Sequence, residues 1–381
     1  MVRGSDKMKN IVEGSAAVAE AVKLCEPGVI AVYPITPQTH IAEGLTQIVA
    51  NGELDAEIIS VESEHSAMAA CIGSVATGVR PYTCTSSQGL AYMHELLFVA
   101  SGMRLPVVMT VVNRSLSAPL NIWNDQQDSM SERDCGWIQL YVENGQEAFD
   151  TQIQAFKIAE QASVPVMVCM DGFVISHTYE NVSYLDQKLV KKFLPAFKPD
   201  VSLNPSKPVS MGTLATPEYF MRFRKDQDEA VHAARDVIKS VHREYAAISK
   251  RSYGNGLIEK VNMEGKKYAL ITIGSVTGTA REYMPKDFGI IKVKAMRPFP
   301  TEDIISACRG LASVGVIEKD ISVGNEGALY TETKACLYGP GCSTKLSGFI
   351  AGLGGKDITP KNMESVFERI RQGKTGTEWV M

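Results

Sequence analysis

VIAVYPITPQT, residues 29–39, is the stretch on which the fold turns. Five apolar or aromatic residues read as a short buried strand, Pro34 and Pro37 impose a turn, and helical periodicity runs from Thr39 to Ala50. The same handover recurs downstream. Glu57–Val61 reads as a strand, and Glu64–Ala76, rich in Ala, Met and Ser with few charges, as a helix buried on most sides. Pro81–Thr85 precedes a helix over Gln88–Ser101, and PVVMTVV at 106–112 is another buried strand. An irregular segment over 115–135 then leads to a helix over Gln146–Ala162 and a strand over Val164–Met170. Upstream, the Ala-rich stretch Ser15–Cys25 is a helix stopped by Pro27-Gly28. Apolar strands alternating with helices predict the α/β class, with an open parallel sheet covered on both faces.

In such sheets the ligand crevice lies at the carboxyl ends of the strands. Four motifs follow those ends: YPITPQT at 33–39, VESEHSAMAA at 61–70, TSSQG at 85–89 and VVNRSLSAP at 111–119. They offer the Thr36 hydroxyl, the Glu64 carboxylate, a tight polar turn from Ser86 to Gly89, and the Arg114 guanidinium. A planar guanidinium holds a carboxylate through two parallel hydrogen bonds, so Arg114 suits a small anionic substrate. Glu64, at the mouth of a buried helix, suits a basic heterocycle. Each residue also has a plainer reading: Thr36 as a turn or cap threonine, Glu64 as helix-dipole compensation, Arg114 as a surface charge.

From about residue 193 the texture changes. FLPAFKPDVSLNPSKP carries four prolines and reads as an extended excursion, and Ala230, Ala234, Val237, Val241, Tyr245 and Ile248 mark an amphipathic helix. A second α/β unit starts near 266: KYALITIG (267–274), IIKVKAMRPFP (290–300) and ASVGVIEKD (312–320) read as strands, with helices opened by SVTGT and by Thr301. Gly274-Ser275 before a helix is either an anion cradle or a plain strand-to-helix turn. GLGGKD (352–357) reads as a loop, because no long βαβ unit follows it. The expected division is 1–190, 191–262 and 263–381: an α/β domain, an extended linker with its helix, and a smaller α/β domain.

Composition excludes several roles. The chain has 381 residues, enough for two domains with full cores, and a formal net charge of −4, with no basic excess that would favour nucleic acid or an anionic membrane. No apolar run approaches the roughly 20 residues that span a bilayer, and MVRGSDKMKN lacks the apolar core of a signal peptide, so a cytoplasmic protein is expected, with Met8 an alternative start. The eight cysteines (25, 71, 84, 135, 169, 308, 336 and 342) stand singly without a C-x-x-C, which argues for reduced thiols rather than a cluster or structural zinc.

YPITP, ESE-x-x-A, TSSQG and NRSLSAPLNIWNDQQD, together with KVKAMRPFP and AGLGGKDITP in the second unit, resemble the α subunits of the pyruvate:ferredoxin oxidoreductase (pyruvate synthase) group, within the thiamine diphosphate-dependent 2-oxoacid:ferredoxin oxidoreductase family. The resemblance covers nearly the whole chain. It implies a pyrimidine-binding domain followed by one of transketolase C-terminal type. The implied reaction is decarboxylation of pyruvate with coenzyme A to acetyl-CoA and CO2, electrons passing through iron–sulfur clusters to ferredoxin, or the reverse synthesis. Glu64 matches the carboxyl that hydrogen-bonds the aminopyrimidine N1′, the cofactor-binding and catalytic role; Arg114 and Thr36 match the pair that holds the substrate carboxylate. The usual diphosphate–magnesium motif is missing, since MDGF (170–173) and GNG (254–256) lack its arrangement. No metal site is therefore expected in this chain. The cofactor would be shared with a partner, and Mg2+ and the clusters would reside in β-, γ- and δ-type subunits. Relatives acting on 2-oxoglutarate carry TSGPG where this chain has TSSQG. Branched-chain 2-oxoacid (2-ketoisovalerate) enzymes share the pattern, and a transketolase-like transferase or a non-catalytic scaffold subunit are readings from other classes.

Overall fold

The computed structural model describes residues 9–338 and 343–381, so Met8 and Cys342 lie outside the described residues. The first half is built on a seven-stranded sheet in the order Ala295–Arg297, Ile138–Tyr141, Val166–Asp171, Val108–Asn113, Pro81–Thr85, Val29–Val32, Glu57–Ser60. All neighbours are parallel except Ala295–Arg297, which pairs antiparallel with Ile138–Tyr141. Alternation along each strand sends Ile30 and Val108 into the core under the helices Gly14–Cys25 and Gly145–Ala162. Ala31 and Met109 face the other core, shared with the helix Glu64–Ala76 and with the second sheet. Burial on both faces explains why these strands read as continuous apolar runs.

The chain leaves Val29–Val32 toward Glu57–Ser60 on one side and returns to Pro81–Thr85 on the other. Strand order reverses there, and the crevice at such a switch point is where open α/β sheets bind ligands. The PITPQ loop and the TSSQG turn are its two walls.

A second, six-stranded sheet runs Gly376–Val380, Lys345–Ala351, Ser313–Glu318, Tyr268–Ile273, Phe288–Val293, Ile258–Val261, parallel except for the last strand. Its own switch point is filled from within. The Gly274-Ser275 turn, left open between anion cradle and plain turn, holds the carboxylate of Asp171, which accepts from the Ser275 N–H at 3.0 Å and the Lys319 ammonium at 3.0 Å. Burial would raise the Asp171 carboxyl, but Lys319, with donors from Ser275 and Gln126, outweighs it and holds the group below the usual range. The two sheets are also tied by charge: Lys292, 1% exposed, bonds Glu147 at 2.7 Å and Glu143 at 2.8 Å, and Lys294 also bonds Glu147.

Several features depart from the sequence reading. IIKVKAMRPFP is not one strand: Phe288–Val293 lies in the second sheet, and Ala295–Arg297 crosses to the edge of the first. Ile138–Tyr141 is a strand that the reading leaves out, and Lys9–Glu13 pairs antiparallel with Tyr179–Ser183. The helix expected over Gln88–Ser101 is two, Ser87–Tyr92 and His94–Gly102. The amphipathic helix extends over Pro217–Ser249, with residues 217–226 exposed. Among the described residues no helix is long and apolar enough to cross a membrane.

Candidate active site

Thr36 and Arg114 meet across the switch point. Arg114 follows the strand Val108–Asn113, and its Nη1 donates to the Thr36 carbonyl at 2.9 Å while its Nε reaches the Asn121 carbonyl at 3.3 Å. Thr36 itself is exposed, on a loop held by Gln38. That fully buried amide donates to the Cys84 carbonyl at 3.1 Å, and its oxygen accepts from the Ile35 N–H. Arg114 is only 8% exposed, yet among the described residues no carboxylate pairs with it, and its Nη2 has no acceptor. Burial lowers its basicity and the Asp128 carboxylate partly offsets this, while Nη2 stays available to an anionic ligand.

Glu64 begins the helix Glu64–Ala76, whose cap Ser63 accepts from the Ser66 N–H at 3.2 Å. Its carboxylate is 7% exposed and has no hydrogen-bond or ion-pair partner among the described residues. It lies against the TSSQG turn: a Cβ placed on Gly89 would stand 2.5 Å from both Glu64 Oε1 and Thr85 Oγ1. Only glycine permits that approach. Thr85 Oγ1 and Ser86 Oγ are likewise buried without partners. The TSSQG turn thus brings together a carboxylate lacking a donor and two hydroxyls lacking partners, and Asp128 ties the same turn to the Arg114 segment. The donor set fits a ring nitrogen that shares a proton with Glu64.

The turn and the arginine are held by one residue that sequence reasoning passed over. Asp128, 1% exposed in the short helix Gln127–Ser131, accepts from the Ser87 N–H at 2.9 Å and the Arg114 N–H at 3.0 Å through Oδ2. Its Oδ1 accepts from Asn113 Nδ2 and the Ser129 N–H, both at 2.8 Å. Burial pushes its carboxyl up to about 7, against these donors, which favour the charged form. Ser87 needs this anchorage: its φ of 49° is left-handed, rare for a residue with a Cβ, and its hydroxyl also bonds the Ser115 carbonyl at 2.5 Å. In the sequence it is one acid of the polar run NDQQD, inside a quoted motif, and nothing there marks it for burial.

The GLGGKD loop closes over the same region. The Gly354 N–H donates to Asp125 at 3.1 Å, and the Gly355 N–H to the Asn124 carbonyl at 2.6 Å. Gly355 has a φ of 79°, and a Cβ on it would meet the Trp123 side chain, so close docking on the NIWND segment requires glycine. Trp123 itself is 54% exposed.

Comparison with known proteins places this architecture. The family described as "Pyruvate flavodoxin/ferredoxin oxidoreductase, thiamine diP-bdg" matches residues 20–243, and "Pyruvate:ferredoxin oxidoreductase core domain II" matches 267–363. The pyruvate synthase subunit PorA of Methanocaldococcus jannaschii is 47% identical over 381 residues, covering 97% of each chain. The ketoisovalerate oxidoreductase subunit VorA of Pyrococcus abyssi is 43% identical, covering 96% of this chain and 94% of that one. Among solved structures, the 2-oxoglutarate:ferredoxin oxidoreductase from Magnetococcus marinus superposes with a TM-score of 0.74 at 18% identity, over 96% of this chain, which spans 65% of that chain. A split-gene transketolase superposes with a TM-score of 0.53 at 11% identity. Fold and family match define an α/β protein of the thiamine diphosphate-binding type with a second α/β domain. The chain belongs to the pyruvate flavodoxin/ferredoxin oxidoreductase family.

Proposed function

We propose that this chain is the subunit of a pyruvate:ferredoxin oxidoreductase, or pyruvate synthase, that binds the 2-oxoacid and the pyrimidine half of thiamine diphosphate. The observation that carries the reading is that, at the switch point, the TSSQG turn has a nearly buried Glu64 without a hydrogen-bond partner beside it and is tied through Asp128 to Arg114, which makes no ion pair. Thiamine diphosphate, when bound, supplies the nucleophilic carbon and the electron sink for decarboxylation. Glu64 shares a proton with the pyrimidine N1′, Arg114 and the Thr36 hydroxyl hold the substrate carboxylate, and Asp128 keeps Ser87 and Arg114 in place. The division we propose is a pyrimidine-binding domain over 1–190, a linker and helix over 191–262, and a transketolase C-terminal-like domain over 263–381; the separate family matches over 20–243 and 267–363 support a boundary near 262. Partner subunits of β, γ and δ type would bring the diphosphate–Mg2+ site and the iron–sulfur clusters, with coenzyme A as co-substrate and ferredoxin as electron carrier in the cytoplasm.

The VorA relative favours one second reading, a branched-chain 2-oxoacid substrate. Reconstitution tests both. The chain alone should be colourless and without oxidoreductase activity. Added partner subunits should restore colour, tight thiamine diphosphate binding and coenzyme A-dependent dye reduction, with kcat/KM higher for pyruvate than for 2-ketoisovalerate. Dye reduction by the isolated chain would overturn the shared-site reading, and a preference for 2-ketoisovalerate would establish the second.

A further inference from the structure

We propose that Glu13, His40 and His177 form a binding site for a first-row divalent cation, zinc above all, at the rim of the crevice. The three come from separate elements. Glu13 ends the strand Lys9–Glu13, His40 lies in the first turn of Thr39–Ala50, and His177 follows the strand Val166–Asp171. One ligand atom from each lies within 4.8 Å of the others. Donors in a tetrahedral zinc shell, with bonds of about 2.0–2.1 Å, stand about 3.3 Å apart. His40 Nδ1 is already 3.2 and 3.1 Å from the two Glu13 oxygens, and a His177 ligand atom lies within 4.8 Å of both groups.

The surroundings are those of a ligand pair held in place. Ser176 Oγ lies 2.7 Å from His177 Nδ1, orienting the ring and leaving Nε2 to coordinate. That hydroxyl also accepts from the Phe173 N–H at 2.8 Å, and its two lone pairs allow it to accept from Nδ1–H as well. The backbone beside Glu13 is fastened to the same turn: the Ser15 N–H and hydroxyl both donate to the Ser176 carbonyl at 2.9 Å. The His40 and His177 rings stand 4.4 Å apart, with Phe173 4.9 Å from His177 on its other contact. Two imidazoles and one carboxylate match zinc, cobalt and nickel rather than Mg2+ or Ca2+, which prefer all-oxygen shells. Exposed His40 leaves a fourth position for water. A bound ion would clamp the loop carrying Thr36 to the Lys9–Glu13 strand.

The test is titration of the full-length, chelator-stripped chain with Co2+ and Zn2+, read by visible absorption and calorimetry. One equivalent should bind, giving the d–d absorption of four-coordinate cobalt(II) without a thiolate charge-transfer band. His40→Ala, His177→Ala and Glu13→Gln should each weaken binding by about tenfold or more, with an unchanged circular dichroism spectrum, while His232→Ala, on the exposed helix surface, should not. The wild-type spectrum decides even if a variant misfolds. Affinity weaker than about 1 mM, a thiolate band, or binding that survives both histidine changes would overturn the proposal.

Discussion

Asp128→Asn replaces one carboxylate oxygen by an amide nitrogen, and the structure sets what that should cost. Four donors converge on Asp128: the backbone N–H groups of Ser87, Arg114 and Ser129, and Asn113 Nδ2. An asparagine oxygen can serve two of them, and its NH2 faces the other two, donor against donor. Two buried donors left unsatisfied at about 1–3 kcal/mol each give a loss of roughly 2–6 kcal/mol in stability before relaxation. If the amide nitrogen turns toward Ser87 and Arg114, the left-handed Ser87 and the start of the Arg114 segment lose their common anchor. A shift of about 1 Å there would lower kcat/KM for pyruvate by roughly a hundredfold.

The assay is steady-state dye reduction by the reassembled enzyme, with thermal unfolding measured in parallel. The pH profile separates positioning from mere stability. Only the charged carboxylate accepts all four bonds, so wild-type activity should fall as pH drops through about 7, and this limb should vanish in the variant. Stability should run the other way. The folded carboxyl binds its proton more tightly than the unfolded one, so Asp128 contributes a loss of stability as pH rises from 3.8 to about 7. A variant that is less stable but keeps the wild-type KM for pyruvate and the wild-type acid limb would refute the positioning role.

Two further outcomes follow from the same crevice. Arg114→Lys should raise the KM for pyruvate and lower turnover although charge is kept, because an ammonium cannot bond the Thr36 carbonyl and also present a fork to a carboxylate; unchanged kinetics would mean that Arg114 does not touch substrate. Gly89→Ala should place a methyl 2.5 Å from Glu64 Oε1, costing about 1–3 kcal/mol by overpacking and pushing the carboxylate off its position; calorimetric affinity for thiamine diphosphate in the assembled enzyme should drop, and an unchanged value would place Glu64 away from the cofactor.

Much of this was legible because short-range signals and burial agree. The run PVVMTVV reads as a strand buried on both faces, and Val108–Asn113 is one, with Met109 and Val108 in opposite cores. Thr36, Glu64, Ser87 and Arg114 follow strand ends in sequence, and the parallel pairing of four neighbouring strands puts those ends side by side at one end of the sheet. What was hidden depends on long-range pairing. Ala295–Arg297 follows an apolar strand without a turn residue, and only its partner Ile138–Tyr141, far off in sequence, makes it part of the first sheet. Asp128 looks like any acid in a polar run until the fold buries it under four donors. The Gly274-Ser275 turn binds an anion after all, but that anion is Asp171 of this chain.

The central claim is that Glu64 is the carboxyl that works on the cofactor's pyrimidine ring, and Glu64→Gln in the fully reassembled enzyme tests it most directly. The substitution keeps the size of the side chain against Gly89 and removes its capacity to hold and release a proton. Subunit assembly and iron–sulfur colour should be unchanged, while coenzyme A-dependent pyruvate oxidation should fall by about a hundredfold or more. Turnover near the wild-type rate in a fully assembled complex would contradict the account.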